Sequence, residues 1–183
     1  MTRRNVHKKG ETGGTFIVIL ASDLKAENIF LEKTIYEDVV WDAIYDTLVY
    51  LDDSYSPKPW LAYKYEYTPD GLVWTFYLVK NATFHDGTPL TAEDVKFTFD
   101  YIVKNNIPNF ANIVKYVDRV EIIDDYTVRV YMKKPYAWFL YDLASMPILP
   151  KHIWEDKPWN TTKAPVEVGR DHSNGLRESL EST

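Results

Sequence analysis

The 183-residue sequence contains no cysteine. This excludes disulfide bonds, cysteine-based metal sites and thiol catalysis, and it leaves the cellular compartment open. The seven glycines are scattered and form no Walker loop and no GxGxxG turn, which excludes the common phosphate-binding loops. The GxSxG elbow of serine hydrolases is missing as well. The four histidines lie in dissimilar contexts without HExxH spacing, so we predict neither a metal nor a cofactor.

The sequence also lacks a long apolar run. No stretch approaches the roughly 20 apolar residues of a membrane-spanning helix. Residues 1–14 are polar and basic like the start of an export signal, but the apolar run at 16–21 is too short for the rest of one, so we expect no complete signal peptide in this chain. The 21 basic residues are scattered among 27 acidic ones, which predicts no nucleic-acid interface.

The clearest pattern in the sequence lies between residues 73 and 104. Bulky apolar and β-branched side chains alternate over 72–79, which predicts a strand buried on both faces. A turn with Asp86, Gly87 and Pro89 follows. Thr91 and Asp94 then have the spacing of a capping box, and the apolar residues after them recur at helical spacing. We therefore predict a strand, a turn and a packed helix in this order.

Other patterns complete an α+β chain. Apolar residues recurring every four positions predict a helix over 34–48, and residues 52–59 are a polar, proline-containing surface connection. Alternation and turn residues predict two antiparallel hairpins, 60–67 with the strand from 72, and 116–123 with 126–132. The remaining predictions are a buried strand at 16–20, a helix-ending loop at 105–110, a short buried helix near 138–143, an extended segment at 144–150 and a disordered tail at 175–183.

The run from Asp70 to Phe99, with DG, WTFYL and NATFHDGTPLTAEDVKFTF, resembles the signature region of family 5 extracellular solute-binding proteins. These are the oligopeptide- and dipeptide-binding subunits of ABC importers. The similarity extends to GGT at 13–15, YDTLV at 45–49, DYTV at 125–128 and LPKH at 149–152. It covers about residues 13–160, although the family's full chain is several times longer. It ends near Gly169, where the family's Gly-Thr-Gly-Pro-like segment and following strand are not matched.

The resemblance implies the N-terminal part of a two-lobed periplasmic-binding-protein-like fold, with a mixed or antiparallel sheet and packed helices. We expect a first-lobe strand and helix at 1–47, a smaller α+β subdomain at 48–150, and a partial return to the first lobe with a tail at 151–183. The expected location is extracytoplasmic. The expected partners are an oligopeptide or oligosaccharide ligand and the permease subunits of an importer.

The resemblance also implies ligand contacts. In the family, the backbone after the first strand faces the cleft, which places Ser22 and Asp23 there; the alternative is that they only form a turn. An aromatic segment after the capped helix also projects toward the cleft, and Phe110 or Tyr116 would supply it; the alternative for Phe110 is a place in the core. The full set of expected contacts is Ser22, Asp23, Asn109, Phe110, Tyr116, Ser145 and Met146.

Three functional hypotheses follow. The first is a solute-binding component that encloses oligopeptides, or oligosaccharides, between two lobes. The second is a truncated, non-binding fragment that lacks the opposing lobe and whose exposed apolar face favours self-association. The third is an enzyme of another class, using His85 and Asp86 as base and orienting carboxylate. We predict no catalytic residues, because adjacent side chains in a turn rarely face each other.

Overall fold

A computed structural model of the chain describes residues 28–31 and 35–160, and gives the backbone alone for 35–39. The elements in chain order are α1 (Ile35–Ile44), β1 (Val49–Leu51), β2 (Pro57–Pro59), β3 (Ala62–Tyr67), β4 (Val73–Leu78), α2 (Ala92–Asn105), a 3₁₀ turn (Pro108–Phe110), α3 (Ala111–Tyr116), β5 (Val117–Asp124), β6 (Thr127–Met132), α4 (Phe139–Leu143) and α5 (Lys151–Trp154).

Four strands form one antiparallel sheet in the order β3-β4-β6-β5, and β1 pairs with β2 in a separate two-stranded sheet. The predicted α+β class with an antiparallel sheet is thereby confirmed. Both predicted hairpins are present, β3 with β4 and β5 with β6, and the two hairpins join through β4 and β6. The alternating pattern was sufficient to predict both hairpins, because each hairpin pairs two neighbouring segments across a short turn.

Burial on β4 differs from the prediction. Trp74, Phe76 and Leu78 are buried on the inner face, whereas Val73, Thr75 and Tyr77 on the other face are only half-buried. The prediction that this strand is buried on both faces is therefore wrong. The outer face has aromatic and β-branched side chains but no covering element among the described residues, which is a common arrangement for an antiparallel sheet.

The core lies between the inner sheet face and the helices α2 and α4. From α2 it receives Val95, Phe99 and Ile102, all buried. From α4 it receives Phe139, whose ring meets Trp74 edge-on at 5.4 Å and Phe76 at 6.3 Å. Perpendicular ring contacts of this kind are favourable because the positive edge of one ring meets the negative face of another.

The capping box at the start of α2 is confirmed. Thr91 Oγ1 accepts a hydrogen bond from the Glu93 amide at 3.3 Å, and Asp94 Oδ2 accepts one from the Thr91 amide at 3.0 Å. The turn before it is also as predicted, since Gly87 has φ of 85° and the Asp86 carboxylate accepts from the Thr88 amide at 2.9 Å. The helix ends at Asn105, as the Asn and Pro residues beyond it predict.

Asp94 also links α2 to a distant segment. Its second oxygen, Oδ1, accepts from the Lys151 amide at 3.0 Å, at the start of α5. One turn further along α2, the buried Thr98 hydroxyl donates to the Asp94 carbonyl at 2.8 Å and accepts from the Leu149 amide at 2.9 Å. The chain that returns after α4 is therefore attached to the first turns of α2.

The predicted helix over 34–48 is too long. The helix α1 ends at Ile44, after which Thr47 bridges Pro147 and the Asp46 carbonyl accepts from the Ile148 amide at 2.9 Å. The periodic position Leu48 is buried outside the helix. The apolar residues keep a helical spacing beyond the end of α1 at Ile44, because a buried extended segment also requires apolar residues.

Five short elements were not predicted, namely β1, β2, the 3₁₀ turn, α3 and α5. Residues 57–59, inside the predicted surface connection, pair as β2 with β1. The loop at 105–110 continues into the 3₁₀ turn and α3, and α5 follows Pro150. Short helices of four to six residues have little periodicity of their own and depend on tertiary packing. The predicted strand at 16–20 and tail at 175–183 lie outside the described residues, and so does the predicted packing of the first helix on that strand.

We predict that Asp94→Ala destabilises the chain by about 2 kcal/mol, because it removes part of the capping box and leaves the half-buried Lys151 amide without its acceptor. Urea unfolding followed by circular dichroism measures this change. The control is Asp100→Ala on the same helix, where an exposed carboxylate pairs with Lys96 at 2.6 Å; its expected cost is about 0.5 kcal/mol or less. Equal midpoints for the two variants would contradict the prediction.

Candidate ligand-contact surface

A surface rich in aromatic side chains forms where α3, the loop 133–138 and α4 meet. We call it the α3–α4 surface. It lies at the end of the sheet where β5 begins and β6 ends, since Val117 pairs with Met132. Its half-buried or exposed members are Asn112, Tyr116, Tyr136, Trp138, Tyr141 and Ser145.

Two stacked tyrosines form the floor of this surface. The rings of Tyr116 and Tyr136 are nearly parallel, at 4°, with centroids 4.2 Å apart. Backbone contacts position them: the Tyr116 carbonyl, at the end of α3, accepts from the Lys133 amide at 2.8 Å. The loop therefore runs directly over the end of α3, and the stack results from this crossing.

Asp142 lies beside the stack in α4. Burial raises the pKa of its carboxyl above the ordinary value, and the nearby Tyr136 hydroxyl and Asn112 amide offset this only in part. Burial and the Asp142 carboxylate together raise the pKa of Tyr136 to about 12. The polar contacts do not saturate the carboxylate, since within residues 35–160 no hydrogen bond of good geometry reaches its buried Oδ2 atom.

Trp138 is the most exposed large side chain of the surface. It is 61% exposed, and its indole lies 5.0 Å from the ring of Tyr141. The next residue, Phe139, is fully buried in the core and fixes the backbone below Trp138. An exposed aromatic plane on a fixed backbone suits stacking on a ligand ring or an extended peptide.

The structure places the residues that were expected to contact ligand in two separate regions. Tyr116 and Ser145 belong to the α3–α4 surface, and the exposed Ser145 hydroxyl donates to the Asp142 carbonyl at 3.0 Å. Met146, directly after Ser145, is fully buried. Their role in binding stays a prediction.

The other expected contacts lie near the segment 28–31. Asn109 Nδ2 donates to the Phe30 carbonyl at 3.2 Å, and Phe110 is buried with its ring edge-on to Phe30 at 6.1 Å. Phe110 thus occupies the core, which is the alternative that the sequence left open. Ser22 and Asp23 lie outside the described residues.

Sequence reasoning missed Asn112, Tyr136, Trp138 and Tyr141. Trp138 was expected in a short buried helix near 138–143, whereas it is exposed and precedes α4. Tyr136 and Trp138 follow Pro135 in the sequence, and a proline that ends a strand indicates a loop, where side chains are commonly exposed. Asn112 gave no such indication, because α3 itself was not predicted.

A second polar cluster lies beside a groove of about 340 Å³ at the start of α2. The Asp86 carboxylate contacts His152 Nε2 at 2.7 Å, and Lys151 Nζ contacts Glu93 at 3.0 Å. Asp86 thus contacts a histidine that lies 66 positions away in the sequence. The cluster joins the turn at 85–89 to α5.

Neither a metal site nor a membrane span emerges from the described part of the chain. No three His, Asp or Glu side chains converge there as ligands for an ion. None of the helices between residues 35 and 160 is long and apolar enough to cross a bilayer.

Comparison with known proteins gives a consistent result. Residues 56–169 match the family described as bacterial extracellular solute-binding proteins, family 5, middle. The sequence is 33% identical to YejA of Escherichia coli over 117 residues, which is 63% of this chain and 19% of YejA.

Solved structures agree with the sequence match. The fold is similar to DppA of Helicobacter pylori in complex with the peptide STSA, with a TM-score of 0.64 and 27% identity over 73% of this chain and 30% of DppA. It is also similar to the mannohexaose-bound oligopeptide-binding protein TM1223 of Thermotoga maritima, with a TM-score of 0.68 and 29% identity over 82% of this chain and 28% of that protein. The chain thus spans less than a third of the length of these relatives.

The Asp86–His152 contact predicts a pH-dependent stability. Burial alone would raise the pKa of the Asp86 carboxyl, but the Thr88 amide and His152 lower it below the ordinary value. The charged carboxylate therefore favours the folded state. Its contribution is complete above the unfolded-state pKa of about 4 and is lost as pH falls through the lower folded-state value.

Urea unfolding of wild type and Asp86→Asn between pH 7 and pH 3 tests this. The Asn oxygen still accepts from the Thr88 amide, so the variant removes mainly the charge. We expect wild type to be more stable at pH 7 and the difference to decrease as pH falls below about 4. Repeating the pair in a His152→Gln background serves as the control, and the difference should shrink there. A pH-independent difference would contradict the assignment.

Proposed function

Since the chain belongs to the family 5 bacterial extracellular solute-binding proteins, we propose that it acts within a solute-binding component of an ABC importer and contacts an oligopeptide ligand through the α3–α4 surface. Two observations support this proposal. The fold is similar to that of peptide-bound DppA, and the surface presents exposed aromatic rings beside amide and hydroxyl groups. Because the chain spans less than a third of such relatives, the complete activity is proposed for the family fold.

The mechanism follows from the chemistry of the surface. An extended peptide presents amide groups along its length, and exposed side chains such as Asn112 and Ser145 provide hydrogen-bonding partners for them. Trp138 and the tyrosine stack cover apolar area of the ligand from water. Contacts to the ligand main chain tolerate different side chains, so we propose broad specificity. Closure of a second lobe over this surface would complete the enclosure.

Oligosaccharide is the second candidate ligand. The exposed indole of Trp138 beside Tyr141 is a flat apolar surface of the kind that stacks on sugar rings, and the similar protein TM1223 is bound to mannohexaose. The two candidates differ in what they require of the protein. A peptide needs amide partners, whereas a sugar needs the aromatic plane and hydroxyl partners.

Location, assembly and domain division follow as proposals. The family is described as extracellular, so we propose that this chain acts outside the cytoplasm, where it meets permease subunits. The relatives are solute-binding proteins, and we propose no enzymatic activity. We retain the division at residues 47 and 150. Self-association of the isolated chain is expected from exposed aromatic residues such as Trp138 and Tyr50.

The proposal is tested by isothermal titration of the chain with the tetrapeptide STSA and with mannohexaose. We expect Trp138→Ala to weaken binding of the preferred probe by about tenfold, because an exposed tryptophan at the centre of an interface commonly contributes most of the affinity. Its melting temperature should stay close to that of wild type, since the indole is 61% exposed.

The matched control is Tyr63→Ala. Tyr63 is 57% exposed and lies near the β5–β6 turn, at the opposite end of the sheet. This variant should bind like wild type. Tighter binding of mannohexaose than of STSA would favour the oligosaccharide candidate. Binding of neither probe, with a cooperative melt and a defined size in solution, would favour the non-binding hypothesis.

A further inference from the structure

The α3–α4 surface carries a concentration of positive charge. The chain as a whole has a net charge of −6, yet Lys115, Lys133 and Lys134 all lie on the short segments that border the tyrosine stack. All three side chains are exposed. None forms an ion pair with a described residue, in contrast to Lys58, Lys64, Lys96 and Lys151, which each pair with a carboxylate.

Two of these lysines converge on one ring. Lys115 Nζ lies 5.1 Å and Lys134 Nζ 5.0 Å from the centroid of Tyr116. The two ammonium groups are therefore no more than about 10 Å apart, which is close to the Debye length of 8–10 Å at moderate salt. Each is attracted to the ring electrons, but the two repel each other. An anion placed near both would relieve this repulsion.

The third lysine keeps the segment in place. Lys133 Nζ donates to the Val114 carbonyl at 3.1 Å, and the Lys133 amide donates to the Tyr116 carbonyl at 2.8 Å. The loop and the end of α3 are thus joined by two hydrogen bonds. The Tyr136 ring supports the Tyr116 ring from one side, so the lysines approach a fixed aromatic plane.

The acidic residues nearby compete little for these ammonium groups. On residues 111–119 and 132–143 the carboxylates are Asp118 and Asp142. Asp118 already pairs with Arg119 at 3.0 Å. Asp142 is half-buried in α4 and lies next to the Tyr136 hydroxyl and the Asn112 amide, so a single carboxylate faces three lysines. The local charge therefore remains positive.

From this geometry we infer that the α3–α4 surface binds a carboxylate, namely the C-terminal carboxylate of a peptide ligand, between Lys115 and Lys134 and against Tyr116. The inference rests on the proposed function, to which it adds the charge and the orientation of the ligand. It predicts preference for peptides with a free C-terminus over the same peptides with an amidated C-terminus. It also predicts that this end of the ligand lies at the end of α3.

The first experiment compares STSA with its C-terminal amide by isothermal titration of the full chain. Wild type should bind the free acid about fivefold more tightly, the upper range for exposed ion pairs. The Lys115→Gln/Lys134→Gln double variant should bind both forms equally. The matched control is Lys80→Gln, since Lys80 lies 6.0 Å from the ring of Tyr126 at the opposite end of the sheet; it should retain the preference.

The second experiment is independent of peptide transport. N-acetylglycine and N-acetylglycinamide are titrated at millimolar concentration while backbone amide signals are followed by NMR. The carboxylate probe should shift signals of residues 112–118 and 133–138 in wild type and in Lys80→Gln, but not in the double variant. The amide probe should leave these signals unchanged.

The outcomes separate the two claims. Equal affinity for both forms of STSA would overturn the carboxylate inference and leave the proposed function intact. Localised shifts with N-acetylglycine, without binding of STSA in either form, would support the carboxylate site and count against peptide binding by this chain. Absence of shifts at residues 112–118 and 133–138, or shifts elsewhere only, would overturn the inference.

Discussion

The carboxylate of Asp94 holds two distant parts of the chain in one geometry. One oxygen accepts from the Thr91 amide and caps α2, and the other accepts from the Lys151 amide, 57 positions away. Thr98 repeats the connection one turn later through the Leu149 amide. Because the Asp94 and Thr98 side chains are buried, these hydrogen bonds also avoid the cost of leaving their polar atoms unpaired. The position of the segment 144–151 follows from them.

That attachment determines how α4 faces the solvent. The helix lies between β6 and the attached segment, so its ends are fixed on both sides. Phe139 enters the core against Trp74 and Phe76, and Trp138 therefore points away from it. Adjacent aromatic residues thus have opposite roles: one stabilises the fold, and the other presents an apolar plane to solvent. The exposure of Trp138 therefore does not weaken the packing of Phe139 in the core.

The charges of the chain are also unevenly placed. The outer face of the sheet carries paired charges, such as Lys64 with Glu66 at 2.7 Å and Arg119 with Glu121 at 3.0 Å. Paired exposed charges cancel and suit a solvated face. The lysines around Tyr116 are unpaired among the described residues, and they stand next to aromatic rings. Lysines without ion pairs, stacked tyrosine rings and a hydrogen-bonded loop thus lie together at the end of the sheet where β5 begins.

The sequence by itself determined the elements whose information is local. The alternation in β4 to β6, the turn at Gly87 and the capping box of α2 each depend on residues within a few positions of one another, so the pattern alone indicated them and supported the family resemblance. Only the tertiary structure decided the end of α1, the existence of α3 and α5, the burial of Phe110, and the meeting of Tyr116 with Tyr136. These depend on contacts between segments far apart in the sequence, such as the Thr47–Pro147 bridge and the crossing of the loop 133–138 over α3. Periodicity contains no information on which distant segments meet, because burial requires apolar residues in helices and in extended chain alike.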